Sequence, residues 1–369
     1  MTLILFALAC LGGAELSHLI PAVGSGLPVI VFPAGLLVGA LIVSGRREWL
    51  RLVLVAFAVA VFDPIALHGG SAPAVVALAA IMCAEAVAAA ALIGRLAGPE
   101  FTLERVSHAS LFIAVAASTP AVGALVAAPI VMRIAPTFSA AWLAWWLSDG
   151  LGILLTAPVV IAFAAEETRG GSPWRSWLAL EALVAFVSLV AVTESVFGDL
   201  LDLSLLVPAY VLPFLLWPAM RFGPLGSTLS VFFACVIGVW NTSHGHGPFA
   251  VLSTSVGNLL LRAQGAMGMT GLSLLLLASM VAERRNALRE RARLVEELQG
   301  ALNEIKTLRG FIPICAWCHK VRDDEGFWQR LETYLGERTD ATFSHSICPG
   351  CAETQHEAAA KSPGQEWRI

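Results

Sequence analysis

Ten apolar stretches, each about long enough to cross a bilayer, fill the first three quarters of this sequence and fix its class. They run at approximately 2–20, 27–44, 50–67, 73–95, 107–132, 139–165, 177–197, 204–220, 225–241 and 257–282. Up to residue 282 there is no lysine and 23 of 282 residues are charged, whereas from 283 onward 27 of 87 are. A soluble fold needs charged groups over its surface, and the first segment carries too few. These stretches also lack the polar stripe of a soluble core helix. The expected fold is therefore an all-α polytopic membrane protein of about ten transmembrane helices, in contact with the lipid bilayer and followed by a small soluble tail. Pro208, Pro213, Pro218 and Gly226 interrupt the eighth and ninth stretches. The first stretch has no basic residue ahead of its apolar run and reads as a retained helix, not a signal peptide. A net charge of −4 gives no electrostatic basis for nucleic-acid binding.

Arginine sets the expected orientation. Arg46, Arg47, Arg51, Arg95, Arg105, Arg169, Arg175 and Arg221 fall on one side of the ten-span scheme, and only Arg133 and Arg262 on the other. Eight against two places both termini in the cytoplasm.

Ionisable groups inside spans are costly and mark cavities or functional contacts. Here they include Glu15, His18, Glu85, Asp149, Glu194 and Arg262. Glu15 and His18 are three residues apart and share a helix face. Trp142, Trp145 and Trp146 lie on the same half of their span as Asp149. A small-molecule pocket in the outer half of the bundle, built from Glu15, His18, Glu85, Trp145, Trp146, Asp149 and Arg262, is one expectation. The alternative is that these groups hydrogen-bond helix to helix and that the tryptophans belong to an interfacial belt.

Several motifs carry a family likeness. Val31-Phe32-Pro33-Ala34-Gly35 opens the second span and Arg46-Arg47-Glu48-Trp49 closes it. Trp145-Trp146-Leu147-Ser148-Asp149-Gly150-Leu151-Gly152 follows, with Pro158 beyond. Arg221-Phe222-Gly223-Pro224-Leu225-Gly226, Gly245-His246-Gly247-Pro248-Phe249 and Ala282-Glu283-Arg284-Arg285 complete the set. Over roughly residues 1–290 the chain resembles the membrane-associated sensor (MASE) domain of the first type. That module stands ahead of bacterial sensor kinases and cyclic-di-GMP enzymes. One departure is Val31, where an aromatic residue is expected. The resemblance implies a sensor input in a bacterial inner membrane and says little about what is sensed.

Beyond the last span, Val281, Leu288, Val295 and Leu302 recur every seven residues, with Leu298 and Ile305 three residues after the later two. Arg284 and Arg291 spoil the early register. A helix over 283–311 that pairs as a coiled coil in a homodimer is expected, a solvated single helix being the alternative.

The seven cysteines divide unevenly. Cys10, Cys83 and Cys235 lie in spans and read as small packing residues. Cys315 and Cys318, then Cys348 and Cys351, form two C-x-x-C pairs separated by 29 residues. In a reducing cytoplasm that pattern points to four thiolates around Zn²⁺. The spacing also suits a rubredoxin-like iron site, although His319 and Ala352 stand where rubredoxin has glycine, and His319 or His345 could replace one sulfur. About 40 residues bury too little surface to fold unaided, so the metal supplies stability. The tail from Pro313 to Cys351 is also similar to a segment found at the C-termini of bacterial signalling proteins.

The expected layout is a membrane sensor domain over 1–282, a helical linker over 283–311, a metal module over 312–353 and a disordered end over 354–369. No phosphate loop, kinase motif or nucleophile elbow is present, so no enzymatic output is expected. The expected role is a sensor that passes ligand binding through the linker to a zinc module, which contacts a cytoplasmic signalling protein. The rivals are a transporter or channel with a regulatory tail and a membrane redox protein carrying iron.

Overall fold

The structure is a computed structural model describing residues 3–20, 28–68, 71–98, 100–133, 135–168, 176–198, 208–251, 256–309, 312–323, 325–337 and 342–361. It divides into two compact units, Met1–Arg289 and Glu290–Ile369.

The first unit is all-helical. Its elements are α1 (Leu3–Leu19), α2 (Phe32–Val43), α3 (Trp49–Phe62), α4 (Ala72–Leu96), α5 (Val106–Val131), α6 (Phe138–Thr168), α7 (Ser176–Phe197), α8 (Leu212–Ser243) and the four-residue α9 (Pro248–Val251). The last helix, α10 (Val256–Arg309), starts in this unit and runs unbroken for 54 residues. Among the described residues, seven helical stretches are long and apolar enough to cross a membrane, while α1 and α2 have 17 and 12 residues. Among the described residues, two of the expected spans depart from a plain full-length helix, each for a local reason.

The first effect lies at α2. The expected span 27–44 is helical only from Phe32, because Pro33 occupies the first turn and Val31 stays non-helical at φ −98° and ψ 85°. Irregular backbone at membrane depth survives only when protein satisfies its polar groups. Here Val31 N–H donates to Ser148 O (3.1 Å), Phe32 N–H to Ser17 Oγ (3.2 Å), and Gln264 Nε2 to Val29 O (2.9 Å). Glycine makes the approach feasible: a Cβ on Gly152 would lie 2.0 Å from Val31 O, and one on Gly35 would lie 2.0 Å from Gly152 O. The two motifs singled out in the sequence, around Val31 and around Gly152, therefore pack backbone to backbone.

The second effect lies at α8. The expected spans 204–220 and 225–241 form one helical run broken at Gly223, whose φ of 66° and ψ of −149° suit glycine alone. The chain folds back there, so that a Cβ on Gly226 would sit 2.7 Å from Pro218 O, eight residues earlier. Residues 201–207 lie outside the described set. Arg221 pairs with Glu181 near the start of α7 (Nε–Oε1 2.8 Å), while Asn241 donates to Glu194 near its end (3.1 Å). The second leg of α8 thus runs alongside α7.

One end of the bundle is tied together by the start of the expected linker. Glu283 accepts from Val106 N–H at the first turn of α5 (2.8 Å), and Asn286 donates to Glu104 (3.0 Å). Arg285 caps the carbonyls of Met220 and Arg221 just ahead of the Gly223 break.

The second unit, taken by itself, holds a two-stranded antiparallel hairpin, β1 (Val321–Arg322) and β2 (Trp328–Gln329), and two helices, α11 (Leu331–Gly336) and α12 (Pro349–Lys361). Where the strands join, Asp323 Oδ1 accepts from Glu325 and Phe327 N–H. The end expected to be disordered from 354 is helical to Lys361, since Ala, Glu, Gln and Lys favour helix. Residues 362–369 lie outside the described set.

Candidate functional site

The seven residues expected to line one pocket separate into two groups. In the first, α4 brings Glu85, and α6 brings Trp145 and Asp149. Trp145 Nε1 donates to Glu85 Oε1 (3.0 Å), and the Asp149 carboxyl lies beside that of Glu85. Glu85 is 5% exposed and Asp149 1%. Glu85 Oε2 and Asp149 Oδ2 are buried without a further partner. Gly123 on α5 provides the room, since a Cβ there would lie 1.6 Å from Glu85 Oε1. Trp146 does not touch the carboxyls. Its Nε1 donates to Ala117 O (2.7 Å), and Trp142 likewise donates to Ala121 O (3.0 Å), so both indoles fasten α6 to α5. For these two the helix-bonding alternative describes the contacts, because N–H groups in lipid need acceptors.

In the second group, Glu15 and His18 on α1 meet two residues passed over in the sequence, Asp63 and His68. Asp63 begins a π-helical turn, Asp63–Leu67, at the end of α3. His18 Nε2 lies 3.0 Å from Asp63 Oδ2, and His68 Nε2 lies 3.8 Å from Glu15 Oε2. The His18 and His68 rings lie with centroids 4.2 Å apart and planes tilted by 31°. Asp63 could have been found, as an acid inside an apolar stretch. His68 carried no signal, since it sits beyond the run. Arg262 on α10 is exposed.

The tail cysteines form two local nests. Cys315 N–H donates to Lys320 O (2.8 Å) and His319 N–H to Cys315 O (2.9 Å), closing a turn in which His319 takes a positive φ of 55°. Backbone N–H groups of Cys318 and Trp317, together with the Cys318 thiol, hold the Cys315 thiol below its usual pKa. At the start of α12, the Cys351 N–H and thiol lower Cys348 in the same way. Backbone amides aimed at sulfur favour the thiolate, which is the ligand form. Among the described residues no three of the four sulfurs lie within 4.8 Å of one another. Cys10, Cys83 and Cys235 are buried, as expected of packing residues.

A cavity of about 880 Å³ opens between α6, α7, α8 and α10, at the end where Arg221, Arg285 and Arg289 gather.

The MASE1 family model matches residues 1–285, which takes in every helix up to the first turns beyond the last span. The chain belongs to the MASE1 family. MASE1 is a family of membrane sensory domains, so the chain is a multi-pass membrane protein with a sensor role. Within the MASE1 segment lie both ionisable groups, the Gly35–Gly152 contact and the break at Gly223; the four tail cysteines lie beyond it. No curated protein and no solved structure matches the chain.

Proposed function

We propose that the chain is a bacterial inner-membrane sensor without catalytic output of its own. A small ligand in the outer half of the bundle biases the packing of α4, α5 and α6 around Glu85 and Asp149. The helix leaving the last span carries that bias to a zinc-bound tail, which contacts a cytoplasmic signalling protein. The observation behind this reading is the unbroken α10, which starts inside the MASE1 segment and continues to Arg309, just ahead of the first cysteine pair.

Leu288, Leu294, Val295, Leu298 and Leu302 along α10 are all at least half exposed, and their near-heptad spacing suits a second copy of the same helix. In the tail, Cys315, Cys318, Cys348 and Cys351 would hold Zn²⁺, with iron as the lesser alternative; four thiolates suit a tetrahedral ion, which supplies the stability that so small a unit lacks.

Disulfide cross-linking tests the relay. Leu298→Cys is placed in the full chain, the tail cysteines are changed to serine, and native membranes are oxidised with and without Glu85→Gln or Asp149→Asn. A cross-linking rate that shifts by about fivefold or more in the amide variants supports coupling. An unchanged rate, or no cross-linking at all, overturns it. The partly extended second span also suits a transporter. Solute counterflow in proteoliposomes of the full chain would replace the sensor reading with that one.

A further inference from the structure

We infer that His18, Asp63, His68 and Glu15 form a site for a divalent first-row transition metal, zinc foremost, that clamps α1 to the end of α3. This goes beyond the sensor reading and does not rest on it.

The ligand-bearing atoms of His18, Asp63 and His68 all lie within 4.8 Å of one another, a grouping that no other three such residues reach among those described. Tetrahedral zinc with bonds of about 2.0–2.1 Å spaces its ligand atoms about 3.3 Å apart. The contacts of 3.0 Å from His18 to Asp63 and 3.8 Å from His68 to Glu15 bracket that value.

Asp63 adds an independent observation. Its side chain is fully buried, and neither oxygen has a well-directed hydrogen bond, although the His18 ring is in reach. A buried carboxylate without such bonds is costly unless something else compensates it. The charges that face it from the packed elements are His18 and Glu15 on α1 and His68 beyond the π turn.

Charge balance suits a dication here. Two carboxylates and two neutral imidazoles around a dication sum to zero. The imidazoles exclude calcium and magnesium, which take oxygen ligands, and suit zinc, nickel or copper.

The backbone is also adapted. Residues five apart on an α-helix point about 140° away from each other, because each residue turns about 100°. A π turn stacks residue i on i+5. The π turn over Asp63–Leu67 therefore brings Asp63 and His68 to one side, facing His18. The side chains of Glu15, His18 and His68 are each about one-third exposed, so ions in solution reach the site.

The test uses the full chain with Cys315, Cys318, Cys348 and Cys351 changed to serine, so that tail thiols contribute nothing. Purified protein is stripped with EDTA, loaded with zinc, desalted and analysed for metal. Retention of about one zinc per chain is expected, and Co²⁺ in its place gives a tetrahedral visible spectrum without thiolate charge transfer. Asp63→Asn and His68→Gln each weaken zinc binding at least about tenfold. Should Asp63→Asn fail to fold, His68→Gln decides, because that position is partly exposed; elution volume and helical circular dichroism report its folding. No retained zinc in the parent, or equal retention in a folded His68→Gln variant, overturns the inference.

Discussion

Gly123 owes its importance to what another helix places against it. The Glu85 carboxyl occupies the space a methyl group would take, with Oε1 1.6 Å from the would-be Cβ. Gly123→Ala forces that carboxyl away from Trp145 and Asp149 and should cost about 1–3 kcal/mol, read as a lower unfolding temperature in detergent. Gly94→Ala on α4, where nothing lies within 4 Å, should instead hold or raise stability, since alanine favours helix. Equal effects would mean that the Glu85 contact has no weight. At this scale the sequence was partly legible. Glu85, Trp145 and Asp149 come together as expected, but Glu15 and His18 join other partners, because hydropathy gives the depth of a residue and not the neighbour it faces. Asp63 shows the same limit from the other side: its acidity was visible, its pairing with α1 was not.

Among the elements, the turn at Gly223 decides whether two apolar runs count as two helices or one. A residue with a Cβ is strained at φ 66° and ψ −149°, so Gly223→Ala should lose about 1–3 kcal/mol. It should also speed proteolysis near Arg221, whose carbonyl Arg285 caps. Unchanged digestion would argue that the two legs hold without the break. Proline and glycine announced an interruption in this region, yet they could not say that the chain doubles back so tightly that Gly226 meets the Pro218 carbonyl. For α2 the signal was clearer in hindsight: Pro33 fixes where a helix begins, and the extended residues before it depend on acceptors and donors from remote helices.

Taken as a whole, the molecule has a MASE1 segment and a tail whose contacts are largely internal to each unit. A chain ending at Arg309 should therefore keep its elution volume and helical content in detergent, and a loss of either would show that the tail holds the bundle together. Chelation tests the tail in the full chain. Zinc withdrawal should expose Cys315, Cys318, Cys348 and Cys351 to alkylation about tenfold faster; equal rates would remove the metal from this module. Orientation is checked in sealed spheroplasts, where an impermeant thiol reagent should leave Cys315 and Cys348 unmodified. The membrane class was readable because the scarcity of charge over 282 residues leaves lipid as the suitable solvent.

Residues Val29 to Phe32 have a last consequence. Their backbone bonds end on Ser17 of α1, Ser148 of α6 and Gln264 of α10. Water inside a bilayer is not at hand to replace a bond that breaks. Three rods far apart in the chain are knotted to one short thread, so none can slide without dragging the others, and the bundle shares a common fate from its first helix to its last.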